Sequence, residues 1–196
     1  MGTYSKEWLS KQEIKDLFEY PEITSRDLLL MRVVYYGAFR ISEVLNSKKE
    51  DYKFEDNYSY LLLRKQKTDK KNWEKQPVPV FIYGEVINRY CKDNKITDAE
   101  YVFQTQKSNH MSYSMAYVVV RKWTKSVGIK KLINTHSFRR SRATHLLDTG
   151  MDIYVVSKFL RHKSIETTLK YLKLSKKSLY DKMKDIDDKI IFDQIK

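Results

Sequence analysis

The chain has 196 residues, 41% of them hydrophobic and 13% aromatic, which suits one packed domain and argues against disorder. No apolar run approaches the ~20 residues of a membrane span, no basic segment leads into an apolar stretch at the N-terminus, and the one cysteine, Cys91, excludes an internal disulfide and reads as a small core or surface thiol. Formal net charge is +13, and residues 101–147 hold no Asp or Glu beside Lys107, Arg121, Lys122, Lys125, Lys130, Lys131, Arg139, Arg140 and Arg142, a one-signed stretch that favours a polyanionic partner.

In chain order, Ser10 and Glu13 form a capping box before Ile14, Leu17 and Phe18, and Pro21 stops that first helix. A second helix starts near Thr24 or Ser25 and ends at Gly37, a good terminator. A short third spans residues 41–46. The period then changes. Residues 52–55, 58–64 and 76–81 read as strands of a three-stranded antiparallel sheet, with turns at Asp56-Asn57 and 68–72. Pro77 and Pro79 mark the third strand as an edge. Helices are expected again over 83–94, 112–127, 135–149, 152–161, 164–172 and 176–191, with Gly128 and Gly150 just beyond two of them. Val118, Val119 and Val120 read as core. The fold class is α+β, mostly helical, one domain with a small antiparallel sheet.

Several chemistries find no support. His110, His136, His145 and His162 lie in no HExxH pattern and beside no second cysteine, so a protein-built zinc site is not indicated. No glycine pattern fits a phosphate-cradling or dinucleotide loop, and no GxSxG elbow occurs. His110 reads as a loop residue and His145 as structural. Trp8 and Trp123 read as packing residues, and Trp73 stands on a hairpin loop.

Four short segments carry a pattern. Gly37-Ala38-Phe39-Arg40-Ile41-Ser42-Glu43-Val44-Leu45 resembles the GxRxSE segment of tyrosine recombinases, the family of phage integrases and Xer-type resolvases. His136-Ser137-Phe138-Arg139 resembles their HxxR box, and Leu160-Arg161-His162 their LGH. Thr167-Thr168-Leu169-Lys170-Tyr171 resembles the stretch that ends in their nucleophilic tyrosine. Each piece alone is weak; the four in order, with a sheet between the first two, are specific. The resemblance runs from about residue 4 to 174.

The resemblance implies a reaction: DNA strands are cut and rejoined through a 3′-phosphotyrosine. Arg40 and Arg139 would hold the non-bridging oxygens, since guanidinium is planar, always charged and able to donate two parallel hydrogen bonds. A preorganised donor to developing charge is typically worth ~3–4 kcal/mol of barrier. Tyr171 would attack phosphorus and His136 would take its proton, because a phenol of pKa about 10 needs a base at neutral pH. His136 and Arg139, three apart, share a helix face. His162 would bond the phosphate or position its neighbours. A hairpin lysine would protonate the leaving 5′-oxygen. Lys67, in Lys67-Thr68, fits best, with Lys65, Lys70 and Lys71 nearby. Glu43 would buttress Arg40 or stand as an ordinary helix-surface glutamate. Arg140, Arg142, Arg161, Lys65 and Lys70 are the expected DNA contacts. No cofactor, metal or nucleotide is implied. The partners would be double-stranded DNA and further copies of the chain in a tetrameric synapse, with no membrane, in a cytoplasmic, nucleoid- or host-DNA-associated setting.

Taken singly, Arg40 could be a surface or capping arginine, His136 a helix start, and His162 a polar residue at a helix end. The departure from the family pattern is Arg161, where LGH has glycine. Relatives commonly carry a helical core-binding domain ahead of this one, so the chain is either part of a longer protein or a minimal one; alone it would bind one DNA face and lose affinity steeply in salt. The expected division is 1–175, catalytic, and 176–196, a tail whose Leu179, Met183, Ile186 and Ile190 lie at helical spacing. That tail would dock on its own domain or a neighbour's. Competing readings are a type IB topoisomerase-like enzyme, which would relax supercoils without two sites, and a non-catalytic DNA-binding regulator, which would form no Tyr171 adduct.

Overall fold

The structure is a computed structural model, and it describes residues 7–54, 59–63, 76–80, 83–169 and 171. Helix α1 (Lys11–Glu19) starts where the capping box requires: Glu13 N donates to Ser10 Oγ at 3.1 Å and Ser10 N to Glu13 Oε2 at 2.7 Å. It buries Ile14, Leu17 and Phe18. Helix α2 (Ser25–Tyr36) is buried on most faces and runs through the centre, packed on α4 (Tyr83–Asp93) and α6 (Thr135–Asp148). Its one buried carboxylate, Asp27, accepts from Trp123 Nε1 at 2.8 Å and pairs with Arg26 at 2.7 Å, so the charge is satisfied.

Strands β1 (Tyr52–Phe54), β2 (Ser59–Leu63) and β3 (Gln76–Pro79) form one antiparallel sheet in that order, with Tyr52 opposite Leu61 and Leu61 opposite Val78. β2 alternates Ser59, Leu61 and Leu63 inward with Tyr60 and Leu62 less buried, the period-2 pattern of a one-sided sheet. Pro77 and Pro79 sit on an edge strand, where no second ladder needs their missing N–H. Helices α3 (Ile41–Leu45), α5 (Tyr113–Ser126), α7 (Ile153–Phe159) and α8 (Glu166–Leu169) complete the described residues. The expected hairpin tip with Lys65, Lys67, Lys70, Lys71 and Trp73, and the expected tail helix, lie outside them.

One expectation needs correction. Val119 and Val120 are buried, but Val118 is 54% exposed; consecutive helical residues point about 100° apart, so three in a row cannot share one core face. Helix α2 ends at Gly37, as expected, which caps it with an ordinary helical φ of −84°; the left-handed residue is the next one, Ala38, at φ 45°. Gly37 is needed for space: a Cβ there would lie 2.0 Å from the Phe39 ring.

Two apolar clusters result. The larger joins α1, α2, the sheet, α4 and α5 and includes Phe39, Phe103, Trp123 and Phe138. The smaller consists of Ala38, Ala143, Leu147, Val156 and Leu160, with Leu146, Ile153, Phe159 and Tyr171 packed on it. That second cluster gathers α6, α7 and the turns after α2 and α8 at one place.

Candidate active site

The site is built on two tight turns. After α2, Phe39 N donates to Val34 O (3.1 Å) and Ala38 N to Tyr35 O (3.1 Å); after α7, His162 N donates to Ser157 O (3.1 Å) and Arg161 N to Lys158 O (2.9 Å). Both are Schellman closures with a left-handed residue, Ala38 at φ 45° and Arg161 at φ 56°. Each turn aims a carbonyl at the same guanidinium. Arg139 Nη1 donates to Ala38 O at 2.6 Å and Nη2 to Leu160 O. Arg139 is 1% exposed, a full charge held inside the protein by backbone dipoles. Burial first, then Arg161 and Arg40, push its pKa down to about 10, against the opposing pull of Glu43 and Tyr171. It stays charged at neutral pH.

Arg40 is the N-cap of α3, and its side chain is 46% exposed. Glu43 holds it twice: Arg40 N donates to Oε2 at 2.7 Å and Arg40 Nη1 to Oε1 at 2.8 Å. The Glu43 side chain is only 12% exposed, so it is not an outward surface glutamate.

His136 stands on the first turn of α6, one turn before Arg139, where Asn134 caps the helix by accepting from Ser137 N at 3.0 Å. The residue keeps a solvent-facing side. Even so, crowding by protein atoms, then Arg139, Arg140 and Arg40, hold its imidazole down to about 4. His162 follows the second turn. Its Nδ1 lies 2.8 Å from Thr168 Oγ1, and its ring centroid is 6.0 Å from that of Tyr171. Desolvation, then Arg139, Arg40, His136 and Arg161, bring its pKa to about 4 as well. Both imidazoles are therefore neutral at pH 7. If Thr168 donates to Nδ1, the proton of His162 sits on Nε2.

Tyr171 occupies the turn after α8, its N donating to Thr168 O at 2.9 Å. The ring packs on the small cluster that contains Ala38 and Leu160, the two residues whose carbonyls hold Arg139. The structure thus brings Arg40, Arg139, His136, His162 and Tyr171 to one locality, with Glu43 bridging Arg40 and Arg161. Lys67, Lys65 and Lys70 lie outside the described residues.

The other expected DNA contacts fall differently. The Arg161 guanidinium turns inward, 8% exposed, onto Glu43 at 2.8 Å. Arg142 stacks 5.5 Å from the ring centroids of both Tyr35 and Tyr36. Arg140 remains half-buried, with Nη1 3.4 Å from Glu7 O. His145 is structural, its Nδ1 2.8 Å from Tyr35 Oη, and His110 packs edge-on to Tyr101 in a loop. Sequence reasoning named Arg121, Lys122 and Lys125 in the basic stretch but missed Tyr113, Tyr117 and Val118, which are exposed one or two turns before them on the outer face of α5. Tyr113 Oη accepts from Thr135 Oγ1 at 3.4 Å, so that face begins beside His136. Exposed aromatics ahead of cations were the available signal. Among the described residues no helix is long and apolar enough to cross a membrane, and no three His, Cys, Asp or Glu side chains gather as metal ligands.

The chain is similar to known proteins over most of its length. The profile of the phage integrase family matches residues 7–178. A tyrosine recombinase of Pseudothermotoga lettingae is 31% identical over 176 residues, 89% of this chain and 59% of the relative. The tyrosine recombinase XerA of Pyrococcus horikoshii is 32% identical over 174 residues, 87% of this chain and 58% of the relative. Among solved structures, XerA recombinase superposes with a TM-score of 0.77 at 24% identity, over 94% of this chain and 65% of that one. XerH bound to its difH substrate before cleavage gives 0.72 at 20% identity, over 85% and 50%. The chain belongs to the phage integrase family, the tyrosine recombinases. It spans a little under three-fifths of the length of these two curated relatives.

Proposed function

We propose that this chain is the catalytic domain of a site-specific DNA recombinase that cuts and rejoins strands through Tyr171. The observation that carries the reading is the shared footing of nucleophile and anion site: Tyr171 packs on the small apolar cluster to which Ala38 and Leu160 belong, and those two residues' carbonyls grip Arg139. The Tyr171 oxygen attacks the scissile phosphorus, the P–O5′ bond breaks, and a phosphotyrosine bond replaces it. Reversal by the 5′-hydroxyl of another strand reseals the DNA, so the linkage energy is retained without a nucleotide.

Arg40 and Arg139 neutralise the non-bridging oxygens as charge builds on them. Arg139 is preorganised by its two carbonyls, and Arg40 offers an exposed guanidinium fixed at one edge by Glu43. Neutral His136 takes the phenolic proton. Neutral His162, with Nε2 protonated, donates to a phosphate oxygen. Lys67 delivers a proton to the departing 5′-oxygen. Double-stranded DNA lies against Arg40, Arg140 and the basic, aromatic outer face of α5, and the net charge of +13 favours it. Further copies of the chain assemble on that DNA as a tetrameric synapse, in the cytoplasm where the DNA lies.

The test is a suicide substrate: a duplex nicked beside the cleavage position, drawn from DNA flanking the gene, so that the short 5′-hydroxyl fragment diffuses away. Wild type accumulates a covalent protein–DNA band and Tyr171→Phe gives none while binding the duplex equally. A band of equal strength with Tyr171→Phe contradicts the reading, and so does its absence from wild type on a site the protein binds specifically.

A further inference from the structure

The turn after α7 spends a left-handed position on an arginine. L side chains adopt that conformation at a cost, and such cost concentrates where function needs it. Glycine would serve the turn alone: Gly128 and Gly150 close the turns after α5 and α6 with φ of 84° and 86°. Lys95 also takes a left-handed φ, 55°, with an exposed side chain, so the conformation alone assigns no role, and what the Arg161 side chain contributes is read from its contacts.

The guanidinium lies 5.1 Å from the Phe39 ring centroid, Nη1 donates to Phe159 O at 3.2 Å, and Nη2 donates to Glu43 Oε2 at 2.8 Å. Nη2 also reaches to within 3.5 Å of Ala38 O, while buried Nε finds no partner. Arg161 thus links the two turns that grip Arg139. It also takes a share of Glu43, whose other oxygen receives Arg40 Nη1. Without that share, the carboxylate's attraction falls on Arg40 alone. With it, two guanidiniums divide one negative charge, and Arg40 keeps more of its pull for an incoming phosphate.

We infer that Arg161 is a positioning residue for Arg40, fixing Glu43 and sharing its charge so that Arg40 presents its free edge to the scissile phosphate. The inference rests on the recombinase reading above. It differs from a direct DNA contact, because the side chain faces protein.

The experiment uses Arg161→Gly, whose glycine suits the left-handed turn, with folding checked by native circular dichroism. In single-turnover cleavage of the suicide substrate at saturating protein, the rate falls roughly 10- to 100-fold, the scale of a misplaced reacting group. DNA affinity and its salt slope stay at wild-type values. Arg161→Lys recovers part of the rate, since one ammonium can reach Glu43 but cannot span all the acceptors. Combined with Glu43→Gln, Arg161→Gly adds no further loss. An unchanged rate, additive losses in the double variant, or a salt slope reduced by about one, the mark of a phosphate contact, overturns the inference. Side-chain NMR separates its failure from that of the recombinase reading. The Arg40 guanidinium signals move in Arg161→Gly while those of Arg26, on its distant ion pair with Asp27, stay in place. Unmoved Arg40 signals overturn the inference whether or not wild type cleaves.

Discussion

The two apolar clusters follow different rules. The larger one is built from whole helices and a sheet: large side chains, buried polar groups that are paired, as Asp27 is with Trp123, and caps that match local propensity. The smaller has five members, two of them alanines, yet around it sit a buried arginine, two left-handed non-glycine residues and two imidazoles driven to their neutral form. A left-handed non-glycine residue also occurs at Lys95, after α4, so what sets the smaller cluster apart is the buried guanidinium and the imidazole pair, and the large cluster supplies the stability that tolerates them. The difference separates two kinds of residue, those that keep the chain folded and those that keep the phosphate site in register.

The largest effect expected is at the small cluster. On the proposed function, Arg139→Ala removes a buried donor to the developing phosphate charge and lowers the cleavage rate by roughly 10²–10³-fold. It also strips the Ala38 and Leu160 carbonyls of their partner. Rates are measured per folded molecule, by normalising to native circular dichroism. A wild-type rate in Arg139→Ala would erase the distinction between the clusters.

Next comes the converse at the large cluster. Phe103→Ala, at a fully buried ring, costs about 3–5 kcal/mol of stability by denaturant unfolding and leaves the cleavage rate of the folded fraction unchanged. A specific loss of cleavage there would show that the two regions are not separable.

The imidazoles give a smaller, pH-dependent effect. His136 and His162 stay neutral in the fold down to about 4, whereas unfolded histidines protonate near about 6.5. As pH falls through that window the unfolded chain binds protons that the folded chain refuses, so stability falls with falling pH. The melting temperature drops from about pH 6.5 towards about 4, and His162→Gln makes the decline shallower. Cleavage rate over KM, which reports the free enzyme, holds level from pH 7 to about pH 5.5. A midpoint near about 6.5 would mean that the site does not depress its histidines.

The smallest effect separates one left-handed turn from another. Gly150→Ala meets no clash but must hold φ 86°, which costs about 1 kcal/mol. Far from the phosphate site, it should leave cleavage as it was.

Much of this was legible beforehand because it depends on residue type. The capping box at Ser10 and Glu13, the Gly128 and Gly150 terminators and the prolines on β3 each express a local backbone requirement, and each stands where expected. The four segments with Arg40, Arg139, His162 and Tyr171 were legible through their resemblance to a family pattern of short motifs in a fixed order. What hid was tertiary. Arg139's partners are carbonyls, which every residue has. Arg142 and Arg161 carry the same charge as DNA-binding arginines, and only packing shows them on Tyr35, Tyr36 and Glu43. The left-handed Ala38 beside an available Gly37 could not be read, because the Phe39 ring claims the glycine's space.

The central claim is that one phenol among 15 tyrosines shares an anchorage with the arginine site. Protease digestion of the trapped protein–DNA complex, followed by mass spectrometry, tests it most directly. The account predicts the nucleotide adduct on the peptide containing Tyr171. An adduct on any other tyrosine, with Tyr171 unmodified, would contradict it.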